Sequence, residues 1–171
     1  VREVENGEIV VIENNKLKTI KPFPKQKARP CVFEYIYFAR PDSLINKKCA
    51  YEYRKNLGSE LAKETDIKAD LIVPVPDSGV PAALGFAKES KKEFDLGLIR
   101  NHYVGRTFIE PSQNIRSLGV KLKLSSTKTI VQDKSIILID DSLVRGTTCH
   151  KIVKMLYEAG AKEVHVRIAC P

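Results

Sequence analysis

Two adjacent carboxylates, Asp140 and Asp141, follow directly on the apolar run 136–139 and precede a loop rich in hydroxyl groups. In open parallel α/β sheets, ligands bind at the carboxyl ends of the strands, where such a pair would lie. The loop leads into a predicted helix, whose free N–H groups and dipole favour an anion. The residues of this segment that we expect to surround a ligand are Asp140, Asp141, Ser142, Leu143, Val144, Arg145, Gly146, Thr147 and Thr148.

The residue types in this segment suit a phosphate monoester carried on a sugar. Backbone and hydroxyl donors can hold the phosphate, whereas the two carboxylates would repel it and suit sugar hydroxyls or a hard cation such as Mg²⁺. The 142–148 loop lacks the Gly-Lys-Thr ending of a Walker P-loop. The alternative is a strand-end acid pair beside an ordinary helix cap.

The segment VPVPDSG, residues 73–79, provides a second candidate anion loop. Its two prolines stiffen the approach, and Asp77, Ser78 and Gly79 then form a tight turn with exposed N–H groups. Such a nest can hold a pyrophosphate. The alternative is a simple strand-to-helix turn with Ser78 near the N-cap.

Residues 101–124 are long, polar and irregular in pattern. Loops of this length are usually lids or disordered segments. The alternative is a solvated basic loop, since charged side chains are mostly exposed. The basic residues of this segment are Arg106, Arg116, Lys121 and Lys123.

Strand and helix patterns alternate from residue 31 onward, which predicts an α/β fold with a mainly parallel sheet flanked by helices. The strand-like segments are 31–43, which ends in a Pro-Asp-Ser turn, 70–79, which ends in a loop, 94–99, 135–140 and 163–169. The helical segments are 46–65, 80–90 and 147–160. We expect the strands at 135–140 and 163–169 to be buried, because their apolar character is continuous.

Residues 1–30 differ in pattern from the rest. The segment 7–20 predicts two short strands around an Asn-Asn turn, and the proline-containing segment 21–30 predicts an extended linker. We therefore expect a domain boundary near residue 30. The absence of an initial Met and the abrupt end after a strand indicate a piece of a longer protein.

The composition favours a globular protein, with 43% hydrophobic residues and 29% charged residues. No apolar run approaches the roughly 20 residues that span a bilayer, and no secretory signal is present, so we expect no membrane partner. Four widely spaced cysteines without a CxxC pair argue for a reducing compartment, which we take to be the cytoplasm. The net charge of +8 fits nucleic acid or phosphorylated ligands equally well.

The apolar run, acid pair and threonine-rich loop resemble the phosphoribosyl pyrophosphate motif of the type I phosphoribosyltransferases. Together with segments 31–43, 73–79 and 101–113, they are similar to the glutamine phosphoribosylpyrophosphate amidotransferase branch of that family. The resemblance covers residues 31–171 almost continuously, and residues 1–30 resemble the tail of that branch's glutaminase domain. It implies transfer of ammonia, supplied by glutamine in the full enzyme, to phosphoribosyl pyrophosphate. The products are 5-phosphoribosylamine and pyrophosphate, in the first committed step of purine synthesis.

The resemblance also implies roles for the two loops. Asp140 and Asp141 would contact the ribose 2′ and 3′ hydroxyls, and the 142–148 loop would hold the 5′-phosphate. The 77–79 loop would hold the pyrophosphate, and Ser78 would join the two acids near Mg²⁺.

Within the long segment, the resemblance implies catalytic roles for four side chains. Arg106 and Lys123 would contact the pyrophosphate, while Tyr103 and Ile109 would help line an ammonia channel. Just before it, Arg100 and His102 match a basic pair that meets purine nucleotide inhibitors. His102 is a weaker, pH-dependent substitute for Arg or Lys.

Cys31 matches a position that ligates an iron–sulfur cluster in part of the family. A [4Fe–4S] cluster normally needs four cysteine ligands, and Cys49, Cys149 and Cys170 do not match the others. We therefore expect no cluster in these residues and leave one open for the full-length protein, which we expect to be a homo-oligomer. The alternative for Cys31 is a buried free thiol.

Two other functions remain as alternatives. One is a phosphoribosyltransferase that uses a purine or pyrimidine base, against which segment 101–113 argues. The other is a regulator of the same fold that binds nucleic acid through its basic surface, with an affinity that falls steeply with salt. We expect no nucleic-acid partner, because phosphate ligands explain the positive charge equally well.

Overall fold

The computed structural model describes residues 2–25, 27, 29–64, 66–102 and 123–170. The chain divides into two compact units, Val1–Val32 and Phe33–Pro171. In the first unit, strands β1 (Ile9–Glu13) and β2 (Lys16–Ile20) form the predicted antiparallel hairpin. Asn14 and Asn15 have φ values of 49° and 60°, the left-handed pair that a two-residue type I′ turn requires.

The second unit alternates strands and helices, as predicted. It opens with a short π-helix at Glu34–Phe38. Its strands are β3 (Leu44–Ile45), β4 (Lys48–Cys49), β5 (Leu71–Pro74), β6 (Glu93–Phe94), β7 (Leu98–Arg100), β8 (Leu124–Ser126), β9 (Ser135–Ser142) and β10 (Glu163–Cys170). Its α-helices are α1 (Ala50–Lys63), α2 (Val80–Ser90), α3 (Lys128–Val131) and α4 (Thr147–Glu158).

Among the described residues, β10, β9, β5 and β6 form a parallel sheet in that order. The central strands β5 and β9 are apolar on both faces, so alternate residues enter different cores. One core packs Val73 and Leu138 against Ile152 of α4, and the other packs Ile137 against Phe86 of α2. Each such side chain contributes roughly 1.5–3 kcal/mol through burial. The predicted parallel sheet with helices on both faces is confirmed.

The prediction of a strand at 31–43 is wrong, because the π-helix occupies this segment. Aromatic residues favour strands locally, but here Tyr35 and Ile36 are buried in a helical turn. Arg54 of α1 donates from Nε to the Tyr35 carbonyl and from Nη2 to the Ala39 carbonyl, both at 2.8 Å. A side chain later in the chain therefore satisfies carbonyl groups at the end of this helix.

The predicted helix at 46–65 begins later, at Ala50, and ends at Lys63. Asn46 and Lys47 have φ values of 49° and 64° and form the turn between β3 and β4. Left-handed residues cannot continue a right-handed helix, so the hairpin delays its start.

The predicted single strand at 94–99 is two strands in different sheets. β6 pairs with β5, whereas β7 pairs in antiparallel fashion with β8. Gly97 lies between them, where an added Cβ would come within 2.8 Å of the Val73 and Val131 side chains. The chain therefore passes close to the core at this glycine, where it leaves the parallel sheet.

The predicted buried strand at 163–169 is β10, which is one of the two edge strands of the sheet that the described residues form. Seven of its eight residues are half-buried and Glu163 is exposed, because only one neighbour covers it among the described residues. Within those residues, no helix combines the length and apolar character needed to cross a bilayer.

Candidate functional site

The carboxyl ends of β5 and β9 lie side by side. Pro74 pairs with Ile139, and the Val75 N–H donates to the Ile139 carbonyl at 2.8 Å. The 77–79 loop and the 142–148 loop therefore start from the same edge of the sheet. Ser78 Oγ donates to Asp140 Oδ1 at 3.4 Å, so the two loops are in direct contact.

The acid pair concentrates negative charge at this edge. Asp140 is half-buried and Asp141 is 7% exposed. The Asp141 N–H donates to Asp140 Oδ1 at 2.9 Å, and Ser142 Oγ donates to Asp141 Oδ1 at 3.0 Å. Burial, followed by the charge of Asp141, raises the pKa of Asp140 well above its usual range.

The 142–148 loop is open to solvent. Val144 is 88% exposed, and Thr147 and Thr148 are also exposed. Gly146, with φ of 70°, is the N-cap of α4 and has no side chain to cap the first turn. The first N–H groups of this 12-residue helix are therefore placed beside a loop of hydroxyl donors, an arrangement that binds anions.

The 77–79 loop is held tightly against β9. An added Cβ at Gly79 would collide with the Ile139 carbonyl oxygen and lie 3.0 Å from that of Val75. The Gly79 N–H donates to the Val75 carbonyl at 2.9 Å, so the prediction of an exposed N–H is wrong for this residue. The Pro76–Asp77 peptide bond is cis. Because α2 begins at Val80, this loop too ends at a helix N-terminus.

Arg100, at the end of β7, contacts the 77–79 loop. Its guanidinium forms an ion pair with the carboxylate of Asp77, and the two side chains are 43% and 56% exposed. The Asn101 N–H donates to the Lys123 carbonyl at 2.7 Å, and His102 is exposed. Asn101 and Lys123 are therefore adjacent in the structure, and Arg100 lies beside the loop that we expect to hold pyrophosphate.

Three residues predicted to take part in catalysis, Tyr103, Arg106 and Ile109, lie outside the described residues. Lys123 is described at the start of the returning segment and is half-buried. Cys31 belongs to the first unit and is exposed, so the alternative of a buried thiol is wrong. The structure therefore brings together the residues predicted in the two loops, with Arg100 beside them.

Sequence reasoning missed Arg54, which is 7% exposed. Burial lowers the pKa of its guanidinium, and the negative charge of Asp141 acts against that shift, so the two charges interact. The available signal was the i, i+4 spacing of Ala50, Arg54, Gly58 and Ala62, all of which are buried in α1. A charged residue in such a stripe indicates a buried polar partner.

The donor set at the sheet edge fits a magnesium ion. Mg²⁺ prefers hard oxygen ligands and usually takes one or two carboxylates together with substrate phosphates. Asp140, Asp141 and the Ser78 hydroxyl supply such oxygens, and the accumulated negative charge is what a divalent cation would offset. Within the described residues, no three His, Cys, Asp or Glu side chains form a metal cluster of their own.

The parallel sheet, with two loops at its carboxyl edge, has the form of an α/β domain that holds its ligand at the ends of the strands. Residues 45–171 match the model of the phosphoribosyl transferase domain, and the chain belongs to that family. The expected resemblance and fold class are confirmed.

The chain is similar to amidophosphoribosyltransferases in particular. It is 54% identical to that of Rhizobium etli, covering 100% of this chain and 36% of the relative. It is 51% identical to that of Methanocaldococcus jannaschii, covering 99% and 37%. A solved glutamine phosphoribosylpyrophosphate amidotransferase from B. subtilis, complexed with ADP and GMP, superposes with a TM-score of 0.86 at 48% identity, covering 100% and 38%. The chain spans about a third of the length of the curated relatives that it matches.

Proposed function

We propose that this chain is the phosphoribosyl-transferring part of an amidophosphoribosyltransferase. It binds phosphoribosyl pyrophosphate and replaces the pyrophosphate with ammonia, which glutamine supplies in the full-length protein. The observation that carries the proposal is the contact between Ser78 and Asp140. That contact joins a sugar-phosphate loop to a pyrophosphate loop at one edge of the sheet.

The two loops divide the substrate between them. The N–H groups at the start of α4 and the hydroxyls of the 142–148 loop hold the 5′-phosphate. The carboxylates of Asp140 and Asp141 accept hydrogen bonds from the ribose hydroxyls. The 77–79 loop and the N-terminus of α2 receive the pyrophosphate, so C1 of the ribose lies between the two anion sites.

The reaction needs no covalent nucleophile on the protein. The bond from C1 to the pyrophosphate oxygen breaks, and its electron pair leaves with the pyrophosphate. The ammonia nitrogen forms a bond to C1 and releases a proton. Negative charge grows on the leaving group, where the N–H groups of Asp77 and Ser78 stabilise it, since that of Gly79 is bonded to the Val75 carbonyl. Positioning supplies the rest.

Magnesium belongs to this proposal. Ser78, Asp140 and Asp141 would hold it, and when bound it supplies positive charge that stabilises the leaving pyrophosphate. This assignment is supported by the oxygen donors and by the environment of Asp140, where burial, followed by the charge of Asp141, raises the pKa of the carboxyl.

Similarity to the relatives supports the proposed roles of the segment that follows β7. Arg106 and Lys123 contact the pyrophosphate, and Tyr103 and Ile109 line the path of ammonia. Arg100 and His102 contact purine nucleotides that inhibit the enzyme. The relevant observation is that the B. subtilis relative was solved with ADP and GMP.

The location, oligomeric state and partners of the full-length protein are also part of the proposal. We place the full-length protein in the cytoplasm as a homo-oligomer, without membrane or nucleic-acid partners. A [4Fe–4S] cluster that includes Cys31 would form there only if the full-length chain supplies the other ligands.

The decisive experiment measures pyrophosphate release from phosphoribosyl pyrophosphate with Mg²⁺ and a high concentration of ammonia. We compare the parent chain with Asp140→Asn and with a matched control, Asp133→Asn. Asp133 is exposed and precedes β9, so the control makes the same change at the other end of the same strand. We expect the parent and the control to release pyrophosphate in an ammonia-dependent way, and Asp140→Asn to lose that activity.

Release that depends on a purine base instead of ammonia would contradict the proposal in favour of a base-using transferase. Equal activity of Asp140→Asn and the parent would contradict the assigned site. If no release occurs, protection of the fold against heat by phosphoribosyl pyrophosphate still tests binding. Loss of that protection in Asp140→Asn alone would support the site.

A further inference from the structure

The 77–79 loop contains an acid, which is unexpected in a loop for pyrophosphate. The Asp77 side chain is 56% exposed, and it belongs to the loop that we propose for the pyrophosphate. Asp77 precedes Ser78, which is itself bonded to Asp140. Like charges repel. The carboxylate of Asp77 would therefore oppose the anion that the N–H groups of the loop favour.

Arg100 removes this conflict through its ion pair with Asp77. The position of Arg100 is fixed by the backbone, since it pairs with Leu124 in the β7–β8 ladder. Because both side chains are about half exposed, the pair contributes little to the stability of the fold. Its main effect is on the local charge of the loop.

We propose that Arg100 is a positioning residue that acts through Asp77: it neutralises the carboxylate and so sets the affinity of the 77–79 loop for pyrophosphate. The inference rests on the proposed function and deepens it, because it names what regulates the strength of the pyrophosphate subsite. The guanidinium has five N–H donors, so engagement with Asp77 also orients its remaining donors beside the loop.

The proposal predicts a reciprocal pattern of affinities. Asp77→Asn removes the negative charge and releases Arg100, and should bind inorganic pyrophosphate about fivefold more tightly at low salt. Arg100→Gln leaves Asp77 uncompensated and should bind about fivefold more weakly. The double variant restores the net charge of the loop, and its affinity should return to within about twofold of the parent. All three differences should shrink in high salt, which screens exposed charges.

The test is calorimetric titration of inorganic pyrophosphate into the 171-residue chain and its variants. Glu60→Gln and Lys63→Gln form the matched control, since they change the net charge equally at another exposed ion pair. That pair lies near the end of α1, before β5 begins, toward the amino ends of the strands. The control variants should bind pyrophosphate as the parent does, and unchanged unfolding midpoints in all variants would show that the fold is intact.

Two results would overturn the inference and leave the proposed function standing. Asp77→Asn could bind no more tightly than the parent, or the double variant could bind as weakly as Arg100→Gln. Either would mean that Arg100 acts on the anion by itself. A parent chain that neither binds pyrophosphate nor releases it from phosphoribosyl pyrophosphate would overturn the inference and the proposed function together.

Discussion

The Ser78 hydroxyl lies 3.4 Å from Oδ1 of Asp140, although 62 residues separate the two in the chain. They meet because β5 and β9 pair in parallel, with Val73 opposite Leu138 and Pro74 opposite Ile139. The carboxyl ends of neighbouring parallel strands share one edge of the sheet. This contact joins the two loops of the site, and substitution of Ser78 tests its role.

Ser78→Ala should weaken the response to magnesium without abolishing it. The variant loses one hydroxyl ligand and its hydrogen bond to Asp140, a loss of about 0.5–1.5 kcal/mol. The Mg²⁺ concentration for half-maximal pyrophosphate release should therefore rise roughly twofold to tenfold. Titration of Mg²⁺ in the release assay measures this change.

Ser90→Ala is the control for that variant. Its hydroxyl donates to the Phe86 carbonyl at 2.7 Å within α2, at the end of the helix farthest from the 77–79 loop. It should need the same magnesium concentration as the parent. An equal rise in both variants would contradict a specific role for Ser78.

Gly79→Ala should destabilise the chain by about 2–4 kcal/mol. The added Cβ would collide with the Ile139 carbonyl oxygen and lie 3.0 Å from that of Val75, and backbone atoms cannot move aside as a flexible side chain can. Urea unfolding measures the free energy of unfolding of the variant and the parent.

Gly146→Ala provides a comparison that separates two kinds of strain. Nothing lies within 4 Å of a Cβ at Gly146, but its φ is 70°, so the expected loss is the backbone cost of roughly 1–2 kcal/mol. Equal free energies of unfolding for Gly79→Ala and Gly146→Ala would contradict the close packing of the 77–79 loop on β9.

Arg54→Met should destabilise the chain by about 1–3 kcal/mol. Methionine fills similar space, but the Tyr35 and Ala39 carbonyls lose their guanidinium donor. Arg40→Met is the control, because Arg40 pairs with Asp42 at a surface site where its side chain is 82% exposed. It should cost less than about 1 kcal/mol, and equal losses in urea unfolding would argue against Arg54 as a structural support.

Glu8, in the first unit, should titrate in an unusually acidic range. Its carboxylate accepts hydrogen bonds from Arg2 at 2.6 Å and from the Glu5 N–H at 2.7 Å. The Arg2 guanidinium, followed by the Glu5 N–H, lowers the pKa of Glu8 from 4.5 to about 2. Because the folded pKa is depressed, the contribution of Glu8 to stability is present above pH 4.5 and is lost as the pH falls toward 2.

An NMR titration of the Glu8 carboxyl carbon checks this prediction. The midpoint should lie near 2 in the parent and move toward 4.5 in Arg2→Ala. Lys16→Ala removes a positive charge at the turn end of the hairpin and should leave the midpoint unchanged. A parent midpoint near 4.5 would contradict the contacts of Glu8.

The parts of the fold that sequence predicts well are those where local pattern and tertiary structure agree. The continuous apolar run that ends at Ile139 predicts a strand covered on both faces, and Ile137 and Leu138 do enter different cores. The placement of Asp140 beside Ser78 follows from a topological rule, once both segments are taken as parallel strands.

Local pattern fails where a distant side chain or a tight turn decides the outcome. The π-helix depends on Arg54, which lies 19 residues beyond Tyr35 in the chain, and its aromatic residues alone favour a strand. Lys47 has a left-handed backbone conformation, which sequence analysis normally predicts from a glycine. Likewise, no spacing rule connects Arg100 to Asp77, because they meet only after the chain has left the parallel sheet between β6 and β7.

The parallel pairing of β5 with β9 also has a kinetic consequence. Strands so far apart in sequence pair only after a large loop has closed, which makes non-local parallel sheets slow to form. The anion site cannot exist before that step, because each of its two loops belongs to a different strand. Capture of the proposed substrate, phosphoribosyl pyrophosphate, should therefore begin only after β5 and β9 have paired. During refolding, ligand capture should lag behind the recovery of the helical signal.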